Sequence, residues 1–275
     1  DPKQYDQKKI GNIISREKGK FTQLADYEQR ANDPAAGYLS KIVAQVWNLY
    51  EKKKAKENSL DFDDLLLKAT KLLKENGQVR KIYQEKWDYI HIDEYQDTNE
   101  VQYLMSRLLS ENNGNICVVG DADQNIYSWR GANLKNILSF EKDYPDAKII
   151  LLEENYRSTK NILEAANEVI KKNKYRPDKN LFTKNKTGEK IIFYEALDEN
   201  DEANFVATKI SELLNKPETA ILYRANFQSR ALEEAMLRYK IPYQVLGVKF
   251  FERKEIKDTL AYLRAALNPE NLSDI

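Results

Sequence analysis

The chain has 275 residues, enough for two small domains or one large one. Lysine plus arginine (44) equals aspartate plus glutamate (44), so net charge singles out no partner, although balance can hide local patches. A single cysteine, Cys117, excludes a disulfide framework, and a single histidine, His91, cannot build a metal site. No apolar run approaches membrane-spanning length, and none reads as a signal peptide. Cys117 stands in an apolar run and is expected as a small buried core residue in a reducing, cytoplasmic compartment. His91, between two isoleucines, is expected as a packed strand residue. The chain opens Asp1-Pro2 and its first methionine is Met105, which reads as an excised piece of a larger protein.

Residues 1–57 read as helical, with Phe21, Leu24 and Tyr27, then Tyr38, Ile42, Val46 and Leu49 at three- and four-residue spacing. Asn32-Asp33-Pro34 breaks the two halves, with Pro34 at a helix start. Lys52 to Lys56 read as a solvated face. Ser59 to Asp64 open an amphipathic helix through Leu73, with Ser59 or Asp61 as cap and the first-turn acids opposing the macrodipole. From Trp87 to Leu152 apolar runs alternate with helical spans: Tyr89–Ile92, Val101–Leu109, Ile116–Val119, Leu134–Phe140 and Lys148–Leu152. That order predicts a parallel sheet with covering helices. Ser158 to Ile170 continue as a helix capped by Ser158 or Thr159. Residues 171–190 are strongly basic, a linker or a DNA-binding surface, and Glu195 to Glu202 are acidic. A second α/β unit follows: strand 191–194, helix 202–214, strand 219–223, helix 229–238, strand 243–245, helix 254–267, ended by Asn268-Pro269.

The chemistry concentrates between Trp87 and Ala132. Asp93-Glu94 end an apolar β-branched run. A strand end meeting solvent would account for them, but so would a site, because open α/β sheets bind ligands beyond the carboxyl ends of their strands. One such acid can hold Mg²⁺ while its neighbour orients or deprotonates a water for phosphoryl transfer. The second run, Ile116–Val119, ends in Gly120, Asp121, Asp123 and Gln124, delivering polar groups to the same edge. Tyr127, Trp129 and Arg130 follow in a turn-like segment. They offer flat faces and a cation for single-stranded nucleic acid, or they pack under the loop; spacing leaves both open.

Taken jointly, D-E-Y-Q-D at 93–97, G-D-A-D-Q-N-I-Y-S-W-R-G-A at 120–132 and N-Y-R-S-T at 155–159 resemble the UvrD-like branch of superfamily 1 DNA helicases in order and spacing, over essentially the whole chain. The resemblance implies an α/β fold: parts of two RecA-like (P-loop NTPase type) parallel-sheet domains with an N-terminal helical accessory segment. The segment is 1–57, the first motor part 58–154 and the second 155–275. It also implies a role for each motif residue. Asp93 would hold Mg²⁺ between the β- and γ-phosphates of ATP, and Glu94 would orient the hydrolytic water. Gln124 would sense the γ-phosphate, and Arg157 would reach it from the second domain. Tyr156 would stack on adenine, with a core tyrosine as the plain alternative. Tyr127, Trp129 and Arg130 would bind single-stranded DNA, and Arg224 and Asn226 its backbone. The implied activity is ATP-dependent 3′–5′ translocation and duplex unwinding in repair or replication, acting on single strands and duplex junctions. Two rivals are the motor subunit of a helicase–nuclease complex and a nucleotide-independent DNA- or protein-binding module.

Two departures from the pattern stand out. No G-x-x-x-x-G-K-[ST] occurs, since Gly19-Lys20 is followed by Phe21, and the later motifs of the family are absent. The run Gly247-Val248-Lys249-Phe250-Phe251 has one glycine where relatives usually carry two. The chain alone is therefore expected to lack DNA-stimulated ATPase and to self-associate through an open sheet edge.

Overall fold

Asp6 starts the fold, its carboxylate accepting the Lys8 N–H and capping helix α1 (Gln7–Gly19). The computed structural model describes residues 5–173, 179–213, 219–246 and 254–267. The chain divides into two compact units, 1–189 and 190–275. In the first unit α1 packs with α2 (Leu24–Ala31) and α3 (Tyr38–Lys56). Ile10, Ile14, Val43 and Trp47 form the core there, flanked by Leu24, Tyr27, Leu39 and Ile42. The buried stripe of α3 is thus set by Val43 and Trp47. Tyr38, Val46 and Leu49, which the spacing placed inward, are exposed. Pro34 lies in an Asp33-centred turn rather than at a helix start, and α3 begins after Gly37.

Asp61 caps α4 (Phe62–Glu75) through a reciprocal box with Asp64, but the two acids do more than cap. Lys18 Nζ from α1 lies 2.8 Å from Asp61, 2.8 Å from Asp64 and 3.0 Å from Glu51. Lys54 Nζ from α3 lies 2.8 Å from Glu51 and 3.1 Å from Asp61, and also pairs with Asp64. The Lys18 and Asp64 side chains are each 2% exposed. Lys54 therefore leaves the solvated face expected for residues 52–56. Burial alone would raise the Asp61 and Asp64 carboxyls, but Lys18 and Lys54 outweigh it and hold both below the usual carboxylate range. Glu51, Asp61 and Asp64 approach closely enough to suggest a cation site, and two ammonium groups already fill that role.

Helix α4 lays Leu67, Thr70 and Leu73 inward, and Thr70 Oγ1 donates to the Val101 carbonyl of α6 (Glu100–Ser110) at 3.5 Å. Between them lies α5 (Gly77–Lys86), which the apolar spacing does not reveal; Asn76 Oδ1 caps it by accepting from Gln78 and Val79. The sheet is a parallel pair, β1 (Ile90–Ile92) and β2 (Ile116–Val118), in register Ile90 to Ile116 and Ile92 to Val118. His91 and Cys117 face each other across this ladder, and both are exposed, contrary to the buried positions expected for them. Their face of the sheet carries no covering layer among the described residues. The run 148–152 forms no strand, because among the described residues it finds no ladder partner, and Ile150 and Leu152 face solvent. Short helices α7 (Lys135–Leu138) and α8 (Phe140–Asp143) precede it, and α9 (Lys160–Ile170) follows. Neither Ser158 nor Thr159 caps α9 through its side chain. Asn155 Oδ1 accepts from the Arg157 and Ser158 N–H groups instead.

In the second unit Asp198 caps α10 (Glu199–Glu212), starting it three residues before the expected Glu202. It packs on α11 (Ser229–Arg238) through Ala203, Ala207, Ala235 and Met236, the three alanines permitting close approach. The strands expected at 191–194, 219–223 and 243–245 are not formed among the described residues. Helix α12 spans Lys254–Leu267, while the turn at 247–251 and Asn268-Pro269 lie outside the described residues. Among the described residues no helix is long and apolar enough to cross a membrane.

Replacing Lys18 by methionine removes one of the two ammonium groups that face Asp61, Asp64 and Glu51, leaving Lys54 alone against three carboxylates, and should cost about 3–5 kcal/mol of stability. Denaturant unfolding of Lys18→Met beside Lys18→Met/Asp64→Leu should show part of that loss recovered in the double variant. Equal stability of Lys18→Met and the unmodified protein would show the cluster contributes nothing net.

Candidate functional site

The parallel ladder continues past the strands. Val119 N–H donates to Ile92 O at 2.8 Å and Tyr95 N–H donates to Val119 O at 2.9 Å, so the turns after β1 and β2 lie side by side. Asp93 and Glu94 are exposed at the first turn, and the Asp93 carboxylate accepts the Glu94 N–H at 2.9 Å. Glu94 itself adopts a left-handed conformation, φ 50° and ψ 42°, uncommon for a residue with a side chain. Beneath the turn Tyr95 is buried against the edge of Phe140, and burial pushes its phenol up to about 12.

Gln96 is the residue that sequence reading passes over. It is 1% exposed and joins the two turns: Nε2 donates to Glu94 Oε2 at 2.7 Å, and Oε1 accepts the Asp121 N–H at 2.9 Å. The clue in the sequence was an amide locked inside a run of acids. Gly120 makes room for it, since a Cβ there would lie 2.6 Å from Gln96 Oε1 and 3.1 Å from the Tyr95 nitrogen. Asp121 then accepts from the Asp123 N–H and from Gln124 Nε2, each at 2.9 Å, and pairs with Lys179. Burial would raise the Asp121 carboxyl, but Lys179, Gln124 and the Asp123 N–H together hold it low. Lys179, only 14% exposed, shows that the basic stretch is more than a solvated linker.

Tyr127, Trp129 and Arg130 form a second cluster immediately downstream. Trp129 is 70% exposed and Tyr127 is also exposed, so neither packs under the loop. Their rings are 6.4 Å apart at 43°, and the Arg130 guanidinium lies 4.6 Å from the Trp129 centroid and 5.2 Å from that of Tyr127. Gly131 closes the turn at φ 95°. Tyr156, 80% exposed, is not a core tyrosine, and Arg157 beside it is exposed too. The hydrogen bonds that join Glu94, Gln96, Asp121 and Gln124 do not run on to these two. In the second unit Arg224 and Asn226 are exposed, with Asn226 opening a short turn before α11.

The chain thus presents an acid pair on one turn, a glutamine on its neighbour and a cation–aromatic loop beyond them. The UvrD/REP helicase N-terminal domain matches residues 1–145 and the UvrD-like helicase C-terminal domain matches residues 150–273. The chain belongs to the UvrD/REP helicase family. It is 50% identical, over 98% of its length, to the ATP-dependent DNA helicase PcrA of Bacillus subtilis (strain 168). It is 48% identical over 98% of its length to the proteins of the same name from Staphylococcus aureus (strain COL) and Staphylococcus epidermidis. The chain spans 37% of the length of each of these relatives.

Gly120→Ala should force the Gln96 amide or the Tyr95 backbone to shift and cost about 1–3 kcal/mol, the usual range for overpacking a tight site. Urea unfolding measures it, and a midpoint equal to that of the unmodified protein would show the approach is not tight.

Proposed function

We propose that the chain works as part of an ATP-dependent DNA helicase, moving 3′ to 5′ on single strands and unwinding duplex junctions. The observation that carries this reading is the buried Gln96 junction, which sets Glu94 beside the loop bearing Gln124 just ahead of the exposed Tyr127–Trp129–Arg130 cluster. In this reading the domains are parts of two RecA-like motors, 58–154 and 155–275, after a helical accessory segment, 1–57. Glu94 orients the attacking water and takes its proton. Gln124 can donate and accept at once, so it reads the γ-phosphate. Arg157 offers a planar cationic fork to the same phosphate, and Tyr156 offers a face to adenine.

Asp93 fits Mg²⁺: it is an exposed hard-oxygen donor, suited to an ion that keeps most of its waters and needs only one or two carboxylates. When bound, that ion neutralises charge on the transferring phosphate. Trp129 and Tyr127 stack bases, Arg130 contacts phosphate, and Arg224 and Asn226 touch the DNA backbone. The chain holds no lysine-bearing phosphate loop, and in this reading it does not turn over ATP alone.

In the full-length protein, Glu94→Gln should lower ATP turnover about a hundredfold or more while nucleotide affinity is retained. Near-normal hydrolysis in the presence of DNA would remove Glu94 from its role. Trp129→Ala should weaken single-strand binding by about 1–3 kcal/mol and depress unwinding more than basal ATPase. Unchanged DNA affinity, measured by fluorescence titration, would make Trp129 a bystander.

A further inference from the structure

Gln96 is a buried polar side chain whose two hydrogen bonds go one to each of the two motif turns. The orientation of its amide is fixed by chemistry. The Asp121 backbone N–H can only donate, so the atom facing it is the oxygen, which leaves the nitrogen to face the Glu94 carboxylate oxygen. A third bond, from Asn125 Nδ2 to the Gln96 backbone carbonyl, ties the same residue to the far side of the second turn. Without these bonds Glu94 would be an exposed carboxylate on a left-handed residue, free to exchange rotamers. With them, one carboxylate oxygen is pinned and the other remains for a water.

We infer that Gln96 is a positioning residue: it fixes the Glu94 carboxylate and couples it, through Asp121, to the loop that carries Gln124. This rests on the reading of Glu94 given above. The path is continuous and short. Glu94 Oε2 meets Gln96 Nε2, Gln96 Oε1 meets the Asp121 N–H, and Asp121 Oδ2 meets Gln124 Nε2 at 2.9 Å. A displacement of Gln124 toward a phosphate releases Asp121 Oδ2, and the Asp121 backbone is what holds the Gln96 amide in place. Orientation of the general base is thereby tied to the state of the loop. Gly120 lacks a Cβ for the same reason, since the space is taken by the Gln96 oxygen.

The test uses the full-length protein with single-stranded DNA and reads single-turnover ATP hydrolysis together with KM for ATP and thermal unfolding. Three variants are compared: Gln96→Met, which keeps volume and removes both bonds, Gln96→Glu, which places a second carboxylate against Glu94, and Glu94→Gln. Gln96→Met should slow the hydrolytic step roughly ten- to hundredfold with KM little changed, the effect expected from losing a hydrogen bond to a charged group. Gln96→Glu keeps an acceptor for the Asp121 N–H but loses the donor to Glu94, so it should slow the same step with KM little changed. A purely structural glutamine would lower the unfolding temperature and leave the hydrolytic step at its normal rate below that temperature; that result overturns the inference. So do unchanged rates in both Gln96 variants while Glu94→Gln is inactive, which leaves Glu94 in its role. An active Glu94→Gln removes the reading of Glu94 itself, and this inference with it.

Discussion

Two backbone hydrogen bonds beyond the strands, Val119 to Ile92 and Tyr95 to Val119, are the constraint from which the rest of the site follows. Parallel strands are evenly registered, so residues leaving β1 and β2 emerge level with each other. Both runs end in polar residues, and level emergence therefore converts two separate stretches of sequence into one constellation. The approach is closer than side chains normally allow, which is why the second turn begins with Gly120 and the first holds a buried amide rather than an apolar residue. An unpaired amide in that position would carry a desolvation penalty, and Gln96 avoids it by meeting a donor and an acceptor on opposite sides.

The helical segment is attached to α4 by a different kind of bond. Lys18 and Lys54 come from separate helices and converge on Glu51, Asp61 and Asp64. Buried pairs of this sort often stabilise little relative to apolar packing, but they are intolerant of misplacement, since a shifted partner leaves a bare charge. Their contribution is to define how α1, α3 and α4 meet. Asp61 and Asp64 serve twice, as cap and as counter-ions, so the start of α4 and its seating on α1 are set by the same two side chains.

Elements whose identity depends on local pattern were legible in the sequence. Helices α11 and α12 fall at Ser229–Arg238 and Lys254–Leu267, where periodicity puts them, and the two motif turns follow their apolar runs. What failed was non-local. Strand formation at 148–152 and in the second unit needs a neighbour, and an apolar run does not say whether one is present. Helix α3 is apolar on two sides, so spacing alone selected Tyr38, Val46 and Leu49 over Val43 and Trp47. Helix α5 buries none of its residues and so shows no stripe. Lys18, Lys54 and Lys179 look like surface lysines until their carboxylates are located. Gln96 was hidden in plain view, because the acids around it carry the more familiar chemistry.

The exposed thiol of Cys117 has a practical consequence. It is the chain's single sulfhydryl, it stands opposite His91 on the open face of the sheet, and it lies three residues before Gly120. A fluorophore or spin label attached there would sit at the root of the Gln124 loop with no second thiol in this chain to be silenced. Its rate of alkylation would also serve as a gauge of how far anything comes to cover that face.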